Sequence, residues 1–206
     1  YEGDATLVGS SDKDNVLIGG EGNNSLWGGR GTTDDTMVGG NGKDMFWAEE
    51  GNGNDVIQNF GFGTDDTSDV INLTTAPVKG VSIDSDTGDV TLDLGNDGSL
   101  TIEDAAGKTV QLQNRYTNDE PIAIAFSDGT AEISDDANYY WVEGEDAAVA
   151  ITSDLTVASA NVNLNNTDFN DSDNLGFFGD ITTVDATGYE GDATLVGSSD
   201  KDNVLI

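Results

Sequence analysis

The sequence predicts an all-β protein in which a parallel β-roll joins an antiparallel β-sheet or sandwich. Three observations predict it. Glycine-rich units of about nine residues recur in register over residues 10–60. Short alternating strands separated by tight turns follow from Asp69. The first eighteen residues, YEGDATLVGSSDKDNVLI, return unchanged at 189–206, which sets a period of 188 residues. Eighteen matching positions do not arise by chance, so the parent polypeptide is expected to be a tandem array and this chain an internal portion of it. Three stretches are expected: a roll over 1–60, an antiparallel segment over 61–154, and solenoid rungs over 155–206 that lead into the next copy's roll.

The roll rests on the short repeat. Gly19–Trp27 reads GGEGNNSLW, Gly39–Trp47 reads GGNGKDMFW and Glu50–Gln58 reads EGNGNDVIQ. Between the first two lies GGRGTTDDTMV (Gly28–Val38), the same unit with two residues added; Ser10–Ile18 (SSDKDNVLI) is a degenerate copy with Lys13 in place of a glycine. Six turn-forming residues rich in glycine can take positive φ and direct several carbonyls to one point. The sixth residue brings a carboxylate or amide to the same place. The eighth, apolar residue sits on a short strand facing inward, and residues seven and nine face outward. Two units complete one coil, so successive turns alternate between two edges. The sixth positions are Asn15, Asn24, Asp35, Asp44 and Asp55, which places Asn15, Asp35 and Asp55 on one edge and Asn24 with Asp44 on the other. Every same-edge step is 20 residues, because the additions at Thr32–Thr33 and Ala48–Glu49 lengthen one edge and leave the register intact.

Composition narrows the ligand. Forty Asp and Glu stand against seven Lys and Arg, a formal net charge of -33, while 35% hydrophobic residues and 27 glycines supply enough core to exclude wholesale disorder. Such a field repels nucleic-acid phosphates and anionic lipid, so neither partner is expected. It also repels itself unless cations neutralise it. With no His and no Cys, the chain offers only hard oxygen ligands, the donor set of divalent cations such as Ca2+. The same absence removes imidazole acid–base catalysis, thiolate chemistry and disulfides. No apolar run is long enough to cross a membrane as a helix, so no membrane insertion is expected.

The units match the nonapeptide G-G-x-G-x-D-x-U-x, and in this the chain resembles the RTX (repeats-in-toxin) family of secreted proteins. The resemblance is specific for residues 10–60. It implies that each Ca2+ takes carbonyls two and four plus the sixth side chain of one turn, and carbonyls one and three plus the sixth side chain of the next turn on that edge. Carried over, one site uses Gly20, Gly22, Asn24, Gly39, Asn41 and Asp44. A second uses Gly29, Gly31, Asp35, Glu50, Asn52 and Asp55. A weaker third uses Ser11, Lys13, Asn15, Gly28, Arg30 and Asp35. A cap site adds Gly40, Gly42 and Asp44 to Gly61, Gly63 and Asp69. Asn at two sixth positions departs from the pattern; a neutral amide oxygen ligates with less charge, so those sites are expected to bind less tightly. The bland reading of the whole stretch is a metal-free Gly/Asn-turn solenoid, and five registered units with this charge weigh against it.

After Asp69, strands are expected at 70–73, 81–84, 89–94, 99–103 and 109–113, with hairpin turns at Asp86–Gly88, Asn96–Gly98 and Ala105–Lys108. A second group is expected at 122–126, 131–134, 139–143 and 147–151, with a turn at Ser127–Thr130. The spacing of Val157, Val162, Leu164, Ile181 and Val184 suggests further rungs up to Tyr189. Residues 61–188 hold 25 acidic and three basic residues, so most of the charge lies outside the roll. The DFNDSDN stretch at Asp168–Asn174 reads as a solvated loop rather than a cation site, because EF-hand spacing is not met.

Outward positions of the roll carry apolar residues. Val16, Ile18, Val38 and Val56 lie on one sheet, and Trp27, Met45 and Trp47 on the other, with the two Trp 20 residues apart in one column. Coverage by the antiparallel segment or a neighbouring copy is the favoured account; a sugar-stacking or subunit-contact platform is the alternative. Tyr139, Tyr140 and Trp141 pose the same choice, and strand core is favoured. The RTX resemblance implies secretion through a type I channel and folding outside the cell, where Ca2+ is abundant. The leading functional expectation is a Ca2+-stabilised extender repeat of a giant bacterial surface adhesin or extracellular filament, not an enzyme. Its partners would be neighbouring copies, with lateral self-association or glycan as further candidates. The alternatives are a glycan- or partner-binding surface-layer module, or the RTX tail of a secreted enzyme.

Overall fold

Apolar eighth positions, spaced so that alternate units fall on opposite sides, build two facing parallel sheets. The computed structural model describes residues 2–74, 76, 78, 80–113 and 121–127, and beyond them the backbone of the strands 139–142, 147–150, 159–163, 183–184, 192–196 and 204–205. One sheet begins with β1 (Ala5–Val8), β3 (Asn24–Trp27) and β5 (Met45–Trp47); the other begins with β2 (Val16–Ile18), β4 (Thr36–Val38) and β6 (Asn54–Gln58). All these neighbours are parallel. Leu26 lies beside Phe46, Trp27 beside Trp47, and Leu17, Met37 and Ile57 form one row. The 20-residue step expected from the spacing is therefore the register from β2 to β6 in both sheets, while β1 pairs with β3 at a step of 19. Leu26, Met37, Phe46 and Ile57 are fully buried between them, each such side chain contributing roughly 1.5–3 kcal/mol relative to exposure.

The parallel stacking does not stop at residue 60, where the sequence reading placed the end of the roll. β7 (Val70–Asn72) adds to β5 in parallel, with Phe46 beside Ile71. β10 (Gly98–Ile102) adds in parallel to β6, and β11 (Thr109–Gln113) in parallel to β7. Antiparallel strands are grafted onto these same sheets. β8 (Gly80–Asp84) and β9 (Asp89–Gly95) follow β10 at one edge; β12 (Ile122–Ser127), β13 (Tyr139–Val142) and β14 (Ala147–Ala150) follow β11 at the other. β12 and β13 run parallel to each other, and β13 and β14 antiparallel. The core is accordingly one apolar cluster, from Leu26 in the roll to Phe126 in β12.

The Asn96–Gly98 turn is a hairpin as expected: Asn96 and Asp97 both take positive φ (51° and 61°), matching the right-handed twist of β9 and β10. The Asp86–Gly88 turn likewise joins β8 to β9. The Ala105–Lys108 turn differs from its hairpin expectation. Lys108 N–H donates to Ala105 C=O at 3.0 Å, but the turn carries the chain from one sheet to the other. Its glycine suits either use, and only the apolar strands on each side decide which sheet they join. Ser127 ends β12; the rest of the expected turn, 128–130, the strand at 131–134 and the loop 168–174 lie outside the described residues.

Two further parallel pairs lie beyond β14 in the sequence. β15 (Ser159–Asn163) pairs in parallel with β17 (Asp192–Val196), and β16 (Thr183–Val184) in parallel with β18 (Val204–Leu205). Among the described residues no helix occurs. The outward faces of the roll are not covered by the described antiparallel strands, which extend the sheets edgewise instead. Val16 and Ile18 stay 67% and 66% exposed, and Trp27 and Trp47 are half-buried in one column, with Arg30 over the Trp27 ring.

Candidate metal centre

Each sixth-position residue ends a turn and begins a strand, so its backbone N–H points along the edge toward the next coil. Four of the five N–H groups meet the carboxylate one coil on. Asn15 N–H donates to Asp35 Oδ1 (2.7 Å), Asn24 to Asp44 (2.7 Å), Asp35 to Asp55 (2.9 Å) and Asp44 to Asp69 (2.7 Å). The four carboxylates are thereby drawn inward, between 0% and 3% exposed. Burying ionised groups is costly without a partner of opposite charge. The one ion pair among the described residues, Arg30 with Glu49 at 3.7 Å, lies elsewhere on the surface and carries little. Burial pushes the Asp55 carboxyl up to about 7, with the nearby charges of Asp35 and Asp34 acting in the same direction. Burial likewise pushes Asp69 up to about 6, with the charge of Asp44 adding to it.

Glycine lets the turns stack closely enough for their carbonyls to converge. A Cβ on Gly40 would collide with the carbonyl oxygen of Gly20 in the preceding coil. Gly42 holds φ at 92° with Gly22 C=O close by, a conformation that side chains resist. The donor set is carbonyls, amides and carboxylates throughout, and no three carboxylates converge among the described residues. A hard cation that accepts carbonyl oxygens fits this arrangement; a site requiring nitrogen or sulfur does not.

The sequence-derived ligands are brought together to differing degrees. Around Asn24, its Nδ2 contacts Gly22 C=O (2.6 Å), Gly20 C=O (3.4 Å) and Asp44 Oδ1 (2.8 Å). Gly39 C=O accepts from Asn59 Nδ2 (2.7 Å), and Asn41 N–H donates to Gly20 C=O (3.1 Å). In the second set, Asp35 and Asp55 are linked, and Asn52 Nδ2 donates to Gly29 C=O (3.0 Å). Gly31 stacks on Ser11 C=O, whereas the Glu50 carboxylate turns away to Asn96 Nδ2 (2.9 Å). In the third set Asn15 reaches Lys13 C=O and Asp35 but takes Ser10 C=O (3.1 Å) in place of Ser11. Gly28 lies against the Asp35 carboxylate, and the Arg30 side chain points to Trp27. At the cap, Asp44 Oδ2 accepts from Gly40 N–H and Asp69 Oδ2 from Gly61 N–H, both at 2.7 Å. Gly61 C=O is already used by Asp69 N–H and Gly63 C=O by Gln111 Nε2.

A second ladder escaped the sequence reading. Fifth-position side chains accept from the backbone of the following coil: Asp4 from Asn23 N–H (2.8 Å), Asn23 from Lys43 (2.9 Å), Asp14 from Asp34 (3.2 Å) and Asp34 from Asn54 (2.8 Å). It runs opposite in sense to the sixth-position ladder, so adjacent coils are tied in both directions. The available signal was the polar fifth position of every unit.

The model of the RTX calcium-binding nonapeptide repeat (4 copies) matches the chain at residues 2–33, 9–46 and 31–57. No curated protein matches it. The matched residues include the stacked turns that bury Asp35, Asp44 and Asp55, none of which has an ion-pair partner among the described residues. Residues 2–57 belong to the RTX calcium-binding nonapeptide repeat family, and the chain binds Ca2+ at several of these turns.

Proposed function

We propose that this chain is a Ca2+-stabilised extender repeat of a large secreted bacterial surface protein, an adhesin or an extracellular filament. RTX repeats are typical of secreted proteins, which supports an extracellular setting. The observation that carries the reading is the junction. β1 and β2 are the edge strands of their two sheets. Residues 193–196 and 204–205 repeat the sequences of β1 and β2, and there each strand has a parallel partner supplied by the end of the preceding period, β15 and β16. In a tandem array the same strands would carry β15 and β16 upstream and the next roll downstream. Copies joined by strand pairing share backbone hydrogen bonds rather than a flexible linker. The two prolines, Pro77 and Pro121, fall outside the stretch of sequence that forms this junction. A role in length and stiffness needs no catalytic group, and the chain has neither His nor Cys to supply one. Small-angle scattering on one, two and four tandem copies tests the proposal. A rod lengthening linearly with copy number is expected; growth like flexibly joined beads would contradict it.

A further inference from the structure

We infer that Asn15 and Asn24 exclude calcium from their own turns, one on each edge, their side-chain amides filling the place that aspartate coils leave to the cation. Asn24 Nδ2 lies 2.6 Å from Gly22 C=O, 3.4 Å from Gly20 C=O and 2.8 Å from Asp44 Oδ1. Asn15 Nδ2 repeats the arrangement on the other edge, 2.5 Å from Lys13 C=O, 3.1 Å from Ser10 C=O and 2.8 Å from Asp35 Oδ1. All six neighbours are acceptors. An oxygen placed there would face lone pairs only, so the position suits a hydrogen-bond donor or a cation and nothing else. A neutral NH2 supplies two donors without bringing a divalent ion out of water. Orienting the amide this way leaves Asn24 Oδ1 buried with no partner, so the carbonyls and the carboxylate take precedence over the amide's own oxygen.

The aspartate turns differ in kind. A carboxylate at the sixth position donates nothing, and the hydrogen bonds of the described residues put no side-chain donor between those carbonyls and Asp55 or Asp69. Three other amides touch ligand carbonyls, Asn52 at Gly29, Asn59 at Gly39 and Gly40, and Gln111 at Gly63, but none of them reaches a carboxylate. Among the described residues, only Asn15 and Asn24 join the carbonyls to the carboxylate of the next coil as a cation would. The roll then has an end that closes without metal, followed by coils that need it. This reverses the role expected from the motif, in which the asparagine oxygen is a weak ligand.

The inference rests on the calcium assignment of the roll and is independent of the extender reading. Calorimetric Ca2+ titration of the whole 206-residue chain, compared with Asn24→Ala, Asn24→Asp and Asn15→Asp, tests it. Asn24→Ala should bind as many ions as the parent chain while melting lower both with and without Ca2+. Each Asp variant should bind one further ion, melting above the parent in Ca2+ and below it in chelator, where a carboxylate replaces the donor. Loss of one ion in Asn24→Ala, or no gain in either Asp variant folded in Ca2+, would overturn the inference. Neither outcome bears on whether tandem copies form a rod.

Discussion

The turns of residues 10–69 and the hairpins of residues 84–97 are made from the same residue types, glycine with aspartate and asparagine. In the first set Asp35, Asp44, Asp55 and Asp69 are buried. In the second, Asp84, Asp86, Asp93 and Asp97 are exposed. The cause is stacking. A roll turn has another turn above it whose backbone N–H draws the carboxylate inward, whereas a hairpin turn has water. Asp84 therefore spends its carboxylate on its own turn, accepting from Asp86 N–H at 2.9 Å. Composition marks both regions as acidic turns, and only the roll has to bring a cation inside to keep its charge there. Both regions nonetheless share one apolar core, so the metal requirement is confined to the edges.

Metal removal should break this comparison most visibly. A site held at a free Ca2+ concentration 100-fold above its Kd contributes about 2.7 kcal/mol, so two such sites contribute roughly twice that. Thermal unfolding followed by circular dichroism should show a large fall in Tm on chelation, with protease cleavage appearing first within residues 2–60. Core truncation in the hairpin region comes next and should ignore the metal: Leu92→Ala, at a fully buried position in β9, should cost about 2–5 kcal/mol in Ca2+ and in chelator alike by denaturant titration. Asp44→Ala should cost about 2–3 kcal/mol in Ca2+, while Asp86→Ala should stay within about 0.5 kcal/mol. Equal losses from those two variants would erase the distinction between buried and exposed turns.

The pH dependence is a finer probe. Asp55 and Asp69 have carboxyls raised to about 7 and about 6 from the ordinary 3.8. A raised carboxyl contributes stability fully present below 3.8 and lost as pH climbs through the folded value, because the fold disfavours the ion. Metal-stripped protein should therefore melt a few degrees lower at pH 7.5 than at pH 4.5. Calcium needs the ionised form, so in its presence the slope should reverse and affinity should weaken as pH falls. Differential scanning calorimetry at both pH values, with and without Ca2+, checks the sign.

Much of the architecture was legible because the roll is nearly one-dimensional. The position of Met37 between Leu17 and Ile57 follows from counting twenty residues, and the Trp27–Trp47 column follows from the same count. Hairpin β9–β10 was legible from Asn96, Asp97 and Gly98, whose chemistry is local. The parallel seating of β10 on β6 and of β11 on β7 was not, since it joins residues 45 and 41 positions apart with no repeat to announce it. At the site, the motif supplied Asp35, Asp44 and Asp55, but not the direction in which an asparagine amide turns. That depends on the acceptors around it, visible only once Gly20, Gly22 and Asp44 are placed together.

The central claim is that calcium is required by the turns of the roll and not by the hairpins that share its core. Hydrogen exchange measured peptide by peptide, with Ca2+ and after its removal, tests this most directly. The amides of Asp35, Val56 and Val70, which bond along the aspartate edges, should lose protection by orders of magnitude on chelation. Those of the β9–β10 hairpin should lose much less. Equal loss across both regions, or protection of the roll unchanged without metal, would contradict the account.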